Sequence, residues 1–380
     1  MKELKSGYTT GTCAAACVKG ALHNLLEDRD SKAVYLETLN GKVLRIRTEK
    51  MRKRGNFCTV SVKKEAGDDP DVTDGIEVFA KVKIVKELKK IEKGYYLNNI
   101  LVYGGRGVGI STKKGLQCPV GKSAINPGPL KMIENAVKDV LEERNLKVEI
   151  MIYIPEGREK AKKTFNEKLG VKGGLSILGS TGILNPMSSE ALKKALYAQM
   201  KVVKEDKGSD WIIFSFGNHG RKYCEELEID MDRVVVMSNY VGFVMESAAD
   251  LGFKRIVLIG HIGKAVKIAG GIYDTHSRTA DCRMEIMGAN AFLAGEKPEN
   301  IFKILNSNTV EEACEYVTEK KLFTMLADKA AQKCVDYTRD SSIRCGALLF
   351  SFSGKELGHS KGFYELMKEM HEESTQILFN

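Results

Sequence analysis

The sequence predicts an α+β domain over residues 1–168 followed by an α/β, Rossmann-like domain with a largely parallel sheet over 169–380. Three observations carry this reading. Before residue 169, short segments alternate apolar and polar residues with the period of half-buried antiparallel strands. After it, continuous apolar runs at 211–216, 234–237 and 256–259 alternate with amphipathic helical stretches, as in strands buried on both faces of a parallel sheet. A chain of 380 residues is also long for a single hydrophobic core.

Residues 7–26 begin with a Gly/Thr loop and pass into a helix whose Ala14, Cys17, Val18, Ala21, Leu22 and Leu25 share a face. Thr10 or Thr12 can cap its first turn. Two glycines and three threonines exceed what a cap needs, so Thr9, Thr10, Gly11 and Thr12 also form a candidate anion cradle. From Lys32 to Lys64, strand-like alternation is interrupted by Asn40-Gly41, a strong hairpin signal. Asp68, Asp69, Asp71 and Asp74 follow within seven residues. They fail the calcium-loop pattern, because Asp74 stands where glycine is needed. They therefore read either as turn caps or as carboxylates that orient a ligand or act as a base.

Gly121, Lys122 and Ser123 resemble the end of a phosphate-binding loop, but the preceding glycine is out of register and Pro119 interrupts it. Asn126 and Pro127 open a helix with Met132, Ile133, Ala136, Val137 and Val140 on one face. In the second half, the segment at 175–186, with its glycine loop, is predicted as a first strand, followed by a helix over 188–204. Four successive strand ends then carry small polar residues: Ser180–Thr181–Gly182, Gly217–Asn218–His219–Gly220, Ser238–Asn239 and Gly260–His261. Ligands of open α/β sheets bind beyond the carboxyl ends of strands, so these segments predict a crevice on one sheet edge. Residues 262–269 read as a helix, and the chain continues to Thr275, His276, Ser277 and Arg278. Thr309 and Glu312 form a capping-box pattern. An apolar run at 347–350 predicts a further strand.

Apolar residues make up 43% and charged residues 29%, the balance of a globular protein. No apolar run is long enough to span a membrane, and no signal peptide is read at the N-terminus. The net charge of +9 is spread over helix faces without interleaved aromatics, which argues against nucleic acid or a membrane as partner and leaves an anionic small molecule. Nine cysteines without a C-x-x-C pair predict reduced thiols in the cytoplasm, and no metal site is assigned.

The blocks GYTTGTCAAA, AGDDPDVTDGIE, GGRGVGISTKKGL, PVGKSAINPGP, KTFNEKLGVKGGLSILGSTGILNPMS, SNYVG and GHIGKAVKIAGGIYDTHSRTAD, in that order, resemble the CbiD family. These are the cobalt-precorrin-5B C1-methyltransferases of anaerobic cobalamin biosynthesis. The resemblance runs from about Gly7 to Ile286 and weakens beyond it. It departs at Asp74, where family members are expected to carry His, which puts a proton-transfer role there in doubt. The resemblance implies S-adenosylmethionine as methyl donor and a cobalt-containing tetrapyrrole as substrate, with cobalt present only within that substrate. Neighbouring enzymes of the pathway are the expected partners.

The donor is expected on Gly179, Ser180, Thr181, Gly182, Gly217, Asn218, Ser238, Asn239 and Gly260. The macrocycle and its carboxylates are expected on Thr9, Thr10, Gly11, Thr12, Asp68, Asp69, Lys122, Lys264, Thr275, Ser277 and Arg278. His261, His276 and Asp71 are the candidates for proton handling. A non-catalytic tetrapyrrole carrier and a nicotinamide-dependent reductase are the rival readings. The reductase lacks the dinucleotide glycine pattern.

Overall fold

The computed structural model describes residues 4–27, 32–186 and 188–378. The chain forms two compact units, Met1–Ala191 and Leu192–Asn380.

The first unit is built around the helix Thr10–Glu27, capped by Thr9, whose Oγ1 accepts from Thr12 N at 3.2 Å. Cys13, Ala14, Ala15, Ala16 and Cys17 are all fully buried. Side chains this small let the helix press closely on the helix Pro127–Leu141 and on the strands Phe57–Lys63 and Glu77–Val85. Cys17 Sγ donates to Val78 O at 3.2 Å, and burial pushes the Cys13 thiol up to about 12, so both thiols are packing groups. The helix lies on a six-stranded sheet in the order Met51–Arg54, Phe57–Lys63, Glu77–Val85, Lys147–Tyr153, Ile100–Gly104, Tyr95–Leu97. Only the Lys147–Tyr153 and Ile100–Gly104 pair is parallel. Val78, Ala80 and Val82 alternate into the core, and a buried valine contributes about 1.5–3 kcal/mol relative to exposure. The predicted hairpin pairs Ala33–Glu37 with Val43–Arg47 around Gly41, which takes a left-handed φ of 78°.

The segment at 175–186, predicted to open the second domain, packs in the first unit instead, and the boundary moves accordingly from 168/169 to 191/192. Gly174–Leu175 pairs in parallel with Gly107–Val108, and Ile183–Leu184 pairs antiparallel with Gly7–Tyr8. The reason is local. Gly179 and Gly182 adopt φ values of 139° and 90°, which breaks the apolar run into two short ladders before a long strand can form.

The second unit contains a five-stranded sheet in the order Val234–Val236, Trp211–Ser215, Arg255–His261, Arg344–Phe350, Glu356–His359. The first four strands are parallel and the last antiparallel. One face packs Ile212, Phe214, Ile256 and Leu258 under the helices Ser189–Lys207, Val241–Asp250, Ile262–Ala269 and Lys321–Thr338. The other packs Ile213, Val257 and Ile259 under Tyr223 and Cys224 of the helix Gly217–Glu226 and under Phe363 and Leu366 of the helix Phe363–Leu378. The chain thus leaves the Trp211–Ser215 strand toward one face and the adjacent Arg255–His261 strand toward the other. Connections that part in this way open a crevice at the carboxyl ends of the two strands.

Gly182 sits where a side chain cannot. Besides its φ of 90°, an added Cβ would lie 3.0 Å from Thr38 Cγ2 and 3.1 Å from Thr12 Oγ1. Gly182→Val is therefore expected to destabilise the protein by about 1–3 kcal/mol, read as a lower urea midpoint. An unchanged midpoint would show that this loop relaxes freely.

Candidate functional site

In the second unit, Gly217, Asn218, Ser238, Asn239, Gly260 and His261 lie at or just beyond the carboxyl ends of three adjacent parallel strands. Gly217 begins its helix with φ 58° and open space where a Cβ would stand, while Asn218 and His219 are exposed. Ser238 is exposed and holds a left-handed φ of 56°, unusual for a residue with a side chain. Gly260 is buried, and a Cβ there would meet the Phe216 ring at 2.5 Å.

His261 ends the central strand and caps the helix that follows. Its Nδ1 accepts from Gly263 N at 3.1 Å. Its Nε2 lies 2.6 Å from Glu311 Oε1, so the cap fixes the tautomer in which Nε2 carries the proton and donates to the carboxylate. Glu311 Oε1 also accepts from Phe352 N at 2.9 Å. The Phe352 ring lies over the imidazole at 3.8 Å between centroids and meets His219 edge-on at 5.7 Å. Burial lowers the His261 pKa, against the opposing pull of Glu311. Both ring nitrogens are thus engaged, and a further proton on Nδ1 would break the cap.

A second cluster gathers on Asn239. Its Oδ1 accepts from Lys264 Nζ at 2.9 Å and from Thr275 Oγ1 at 3.3 Å, while its carbonyl accepts from Thr275 N at 3.1 Å. Burial, and then the neighbouring Lys267, lower the Lys264 pKa. Lys267, only 3% exposed, donates from Nζ to Thr275 O at 3.2 Å and to Ala280 O at 2.7 Å. Those carbonyls bracket the exposed residues His276, Ser277 and Arg278, so a buried ammonium clamps the loop that displays them. Within the loop, His276 Nδ1 accepts from Arg278 N at 3.1 Å.

The first unit treats its predicted site residues differently. Thr10 and Thr12 are buried, and the loop after Leu178 consumes the helix start. Gly11 N donates to Leu178 O at 2.8 Å, Thr12 Oγ1 to Gly182 O at 2.6 Å, and Thr10 Oγ1 accepts from Leu178 N at 2.8 Å. The Gly/Thr cradle is filled by the protein's own backbone. Gly179 through Gly182 therefore belong to this helix start, where Ser180 and Thr181 are exposed, and not to the parallel sheet edge. Lys122 is spent on the carbonyls of Glu92 and Gly94, at 2.7 and 2.9 Å.

The aspartates build a turn. Asp68 accepts from Lys5 N at 2.7 Å, Asp74 from Ala66 N at 2.8 Å, and Asp69 N donates to Ala66 O at 3.4 Å. Asp71 takes Lys64 Nζ at 2.8 Å and both Thr73 N and Thr73 Oγ1 at 2.7 Å. Partial burial would raise its pKa, but the Lys64 and Thr73 hydrogen bonds outweigh this and hold it below the usual carboxylate range.

A groove of about 990 Å³ lies at the opposite edge of the second unit's sheet, lined by Arg344, Cys345 and Glu369 among others. Two ion pairs stand at its wall and rim, Arg344 with Glu369 and Asp340 with Lys254 at 2.8 Å. Lying at the amino ends of the strands, it is the weaker candidate despite its size. The sequence reading missed Glu311 and Phe352. Glu311 stands 50 residues from His261, and no periodicity ties them together. A phenylalanine in a Ser/Gly loop directly after an apolar strand was the available signal for Phe352.

A family model described as CbiD matches residues 1–186, and one described as CbiD, C-terminal domain, matches 274–361. A Fusobacterium nucleatum protein named cobalt-precorrin-5B C(1)-methyltransferase is 52% identical, covering 97% of this chain and 98% of its own length. Proteins of the same name from Methanocaldococcus jannaschii and Alkaliphilus metalliredigens are 42% and 40% identical, over 94% and 99% of this chain and 96% and 97% of their own lengths. A crystal structure of the cobalamin biosynthesis protein CbiD from Archaeoglobus fulgidus is 25% identical and covers 73% of this chain and 83% of its own, with a TM-score of 0.39. A superposition that loose adds nothing to the fold described above.

Asp71 and Lys64 supply a direct check on structure against catalysis. Lys64 is 2% exposed, so Asp71→Asn leaves a buried ammonium without its counter-charge. The expected loss is up to about 3 kcal/mol, reduced from the fully buried case because Asp71 is partly exposed. The sign with pH follows from the lowered carboxyl pKa. The pair's contribution is complete above the unfolded value near 4 and is lost as pH falls through the folded one. Equal stability of parent and variant at neutral pH would remove the pair from the structural account.

Proposed function

The chain belongs to the CbiD family, and from that premise we propose that it transfers a methyl group from S-adenosylmethionine to C-1 of cobalt-precorrin-5B, giving cobalt-precorrin-6A. The observation that carries this is continuous similarity over nearly the whole length of relatives bearing that name. Neither a carrier nor a reductase draws support from those names. A cytoplasmic setting and neighbouring pathway enzymes as partners belong to the same proposal.

Bound S-adenosylmethionine supplies an already activated, electrophilic methyl group, so the protein's main tasks are orientation and exclusion of water. The second unit is read as a Rossmann-like donor domain. Gly217, Asn218, Ser238, Asn239 and Gly260 would hold the donor. In support, they cluster where the connections of two adjacent parallel strands part to opposite faces. Gly217 leaves room for close approach, and the helix Gly217–Glu226 starts beside it. Arg278, Ser277 and Lys264 would meet the substrate's carboxylates. Arg278 is the exposed cation of the clamped loop, while Lys264 donates a hydrogen bond to Asn239 Oδ1 until a stronger acceptor arrives.

For proton handling the reading favours His276 over His261 and Asp71. His276 is exposed and gives up only a turn hydrogen bond on protonation. His261 would give up a helix cap, and Asp71, held ionised at a lowered pKa, is a weak base.

Incubating the protein with methyl-labelled S-adenosylmethionine and the cobalt macrocycle is expected to label the macrocycle, an outcome that neither rival produces. Absence of label with folded protein and intact substrate would sink the assignment. Within that assay, His276→Asn is expected to lower the single-turnover rate by about 10²–10⁴ with an unchanged melting temperature. A rate within a few-fold of the parent across pH would release His276 from the role.

A further inference from the structure

Phe352 exposes 63% of its surface, yet it is held firmly. Its backbone N–H is bound by Glu311, whose same oxygen holds the His261 imidazole. One face of the ring lies on that imidazole at 3.8 Å between centroids, and His219 abuts it at 5.7 Å. His261 ends the Arg255–His261 strand, and His219 belongs to the helix that follows the adjacent Trp211–Ser215 strand. The ring therefore reaches across the mouth of the crevice where the two connections part. An exposed aromatic side chain normally gains nothing from being fixed. Here a carboxylate and two imidazoles fix one, with part of its surface left to solvent.

We propose that Phe352 is the stacking platform for the adenine of the methyl donor, and that Glu311 is the positioning residue that sets it, by tying the Phe352 backbone and the supporting imidazole to one oxygen. This rests on the donor placement proposed above and adds to it the residues that recognise the purine. A purine has a π-face of the right size for one phenyl ring and needs no charged partner, which fits a platform made of aromatic rings with a carboxylate held behind them. The tetrapyrrole, whose many carboxylates call for cations, suits the loop carrying Arg278 better.

The test measures binding of S-adenosylhomocysteine and of adenosine by calorimetry to the full chain and to four variants, three single and one double, with melting temperatures alongside. Phe352→Leu is expected to weaken both probes by the same factor, at least roughly 5-fold, the lower end for base–aromatic stacking. Phe352→Trp is expected to bind both within about 2-fold of the parent, since indole stacks at least as well. Trp211, the chain's single tryptophan, is buried, so fluorescence quenching of the Phe352→Trp variant on adding adenosine reports stacking at the new position. Glu311→Gln is expected to weaken both probes while Phe352→Leu/Glu311→Gln is no weaker than Phe352→Leu alone, because Glu311 acts through the ring.

If the parent binds both probes and Phe352→Leu binds them equally well, the platform is overturned while the donor placement stands. Tighter binding by Phe352→Leu would make the ring a plug in the crevice, which also overturns it, as would a loss confined to the cobalt macrocycle. If the parent binds neither probe, the donor placement fails and takes the platform with it.

Discussion

The constraint on which the second unit depends is the enclosure of the Arg255–His261 strand. Parallel neighbours bond it on both sides, and Ile256, Val257 and Ile259 have no exposed surface. Its backbone groups are therefore spent within the sheet, and its two faces are spent on helices. Only its ends can do chemistry. At the amino end, Arg255 is bound to Asp210 and Glu373, a pairing that closes that edge with side-chain charge. At the carboxyl end, the chain must turn from strand to helix, and the first helical N–H groups need acceptors. His261 supplies one acceptor and is itself held by Glu311, which stands at the start of the Val310–Glu315 helix. A structural necessity thus brings an imidazole, a carboxylate and an aromatic ring to the carboxyl edge, where open α/β sheets bind their ligands.

The same necessity is met differently in the first unit, and the contrast shows what the sequence could and could not convey. The Gly/Thr start of the Thr10–Glu27 helix and the Gly217 start of the Gly217–Glu226 helix look alike as sequence: small residues ahead of a helix. In space, Leu178 O and Gly182 O close the first, while the second keeps an exposed Asn218 and open space at Gly217. Nothing local distinguishes them, because the closing groups come from about 170 positions away. The hairpin at Gly41, the helix Ile262–Ala269 and the parallel strands of the second unit were legible because each depends on its own residues. The segment at 175–186 was misplaced for the opposite reason. Its apolar run promises a strand, but glycines at positive φ divide it, and its partners are residues 7–8 and 107–108.

The ionisable groups fit a reaction whose donor arrives activated. Asp71 is held charged by a buried lysine, His261 is held neutral by a cap and a desolvated pocket, and Lys264 sits half-buried with its pKa lowered. Each of them is engaged in a hydrogen bond that a proton transfer would disturb. The side chains that remain displayed, His276, Ser277 and Arg278, stand on a loop whose two flanks are bound by Lys267 Nζ. Burying that ammonium costs desolvation, which the two carbonyls offset in part. What the clamp fixes is the backbone on either side of the displayed residues, while their side chains stay in solvent. Fixed backbone with free side chains suits recognition of a large polyanion. The register of the loop is set in advance, and each cation can still choose among several carboxylates on the ligand. In this arrangement, positioning is built into the scaffold through buried hydrogen bonds. Charge is offered at the surface, where Arg278 avoids the penalty of burying an unpaired ion.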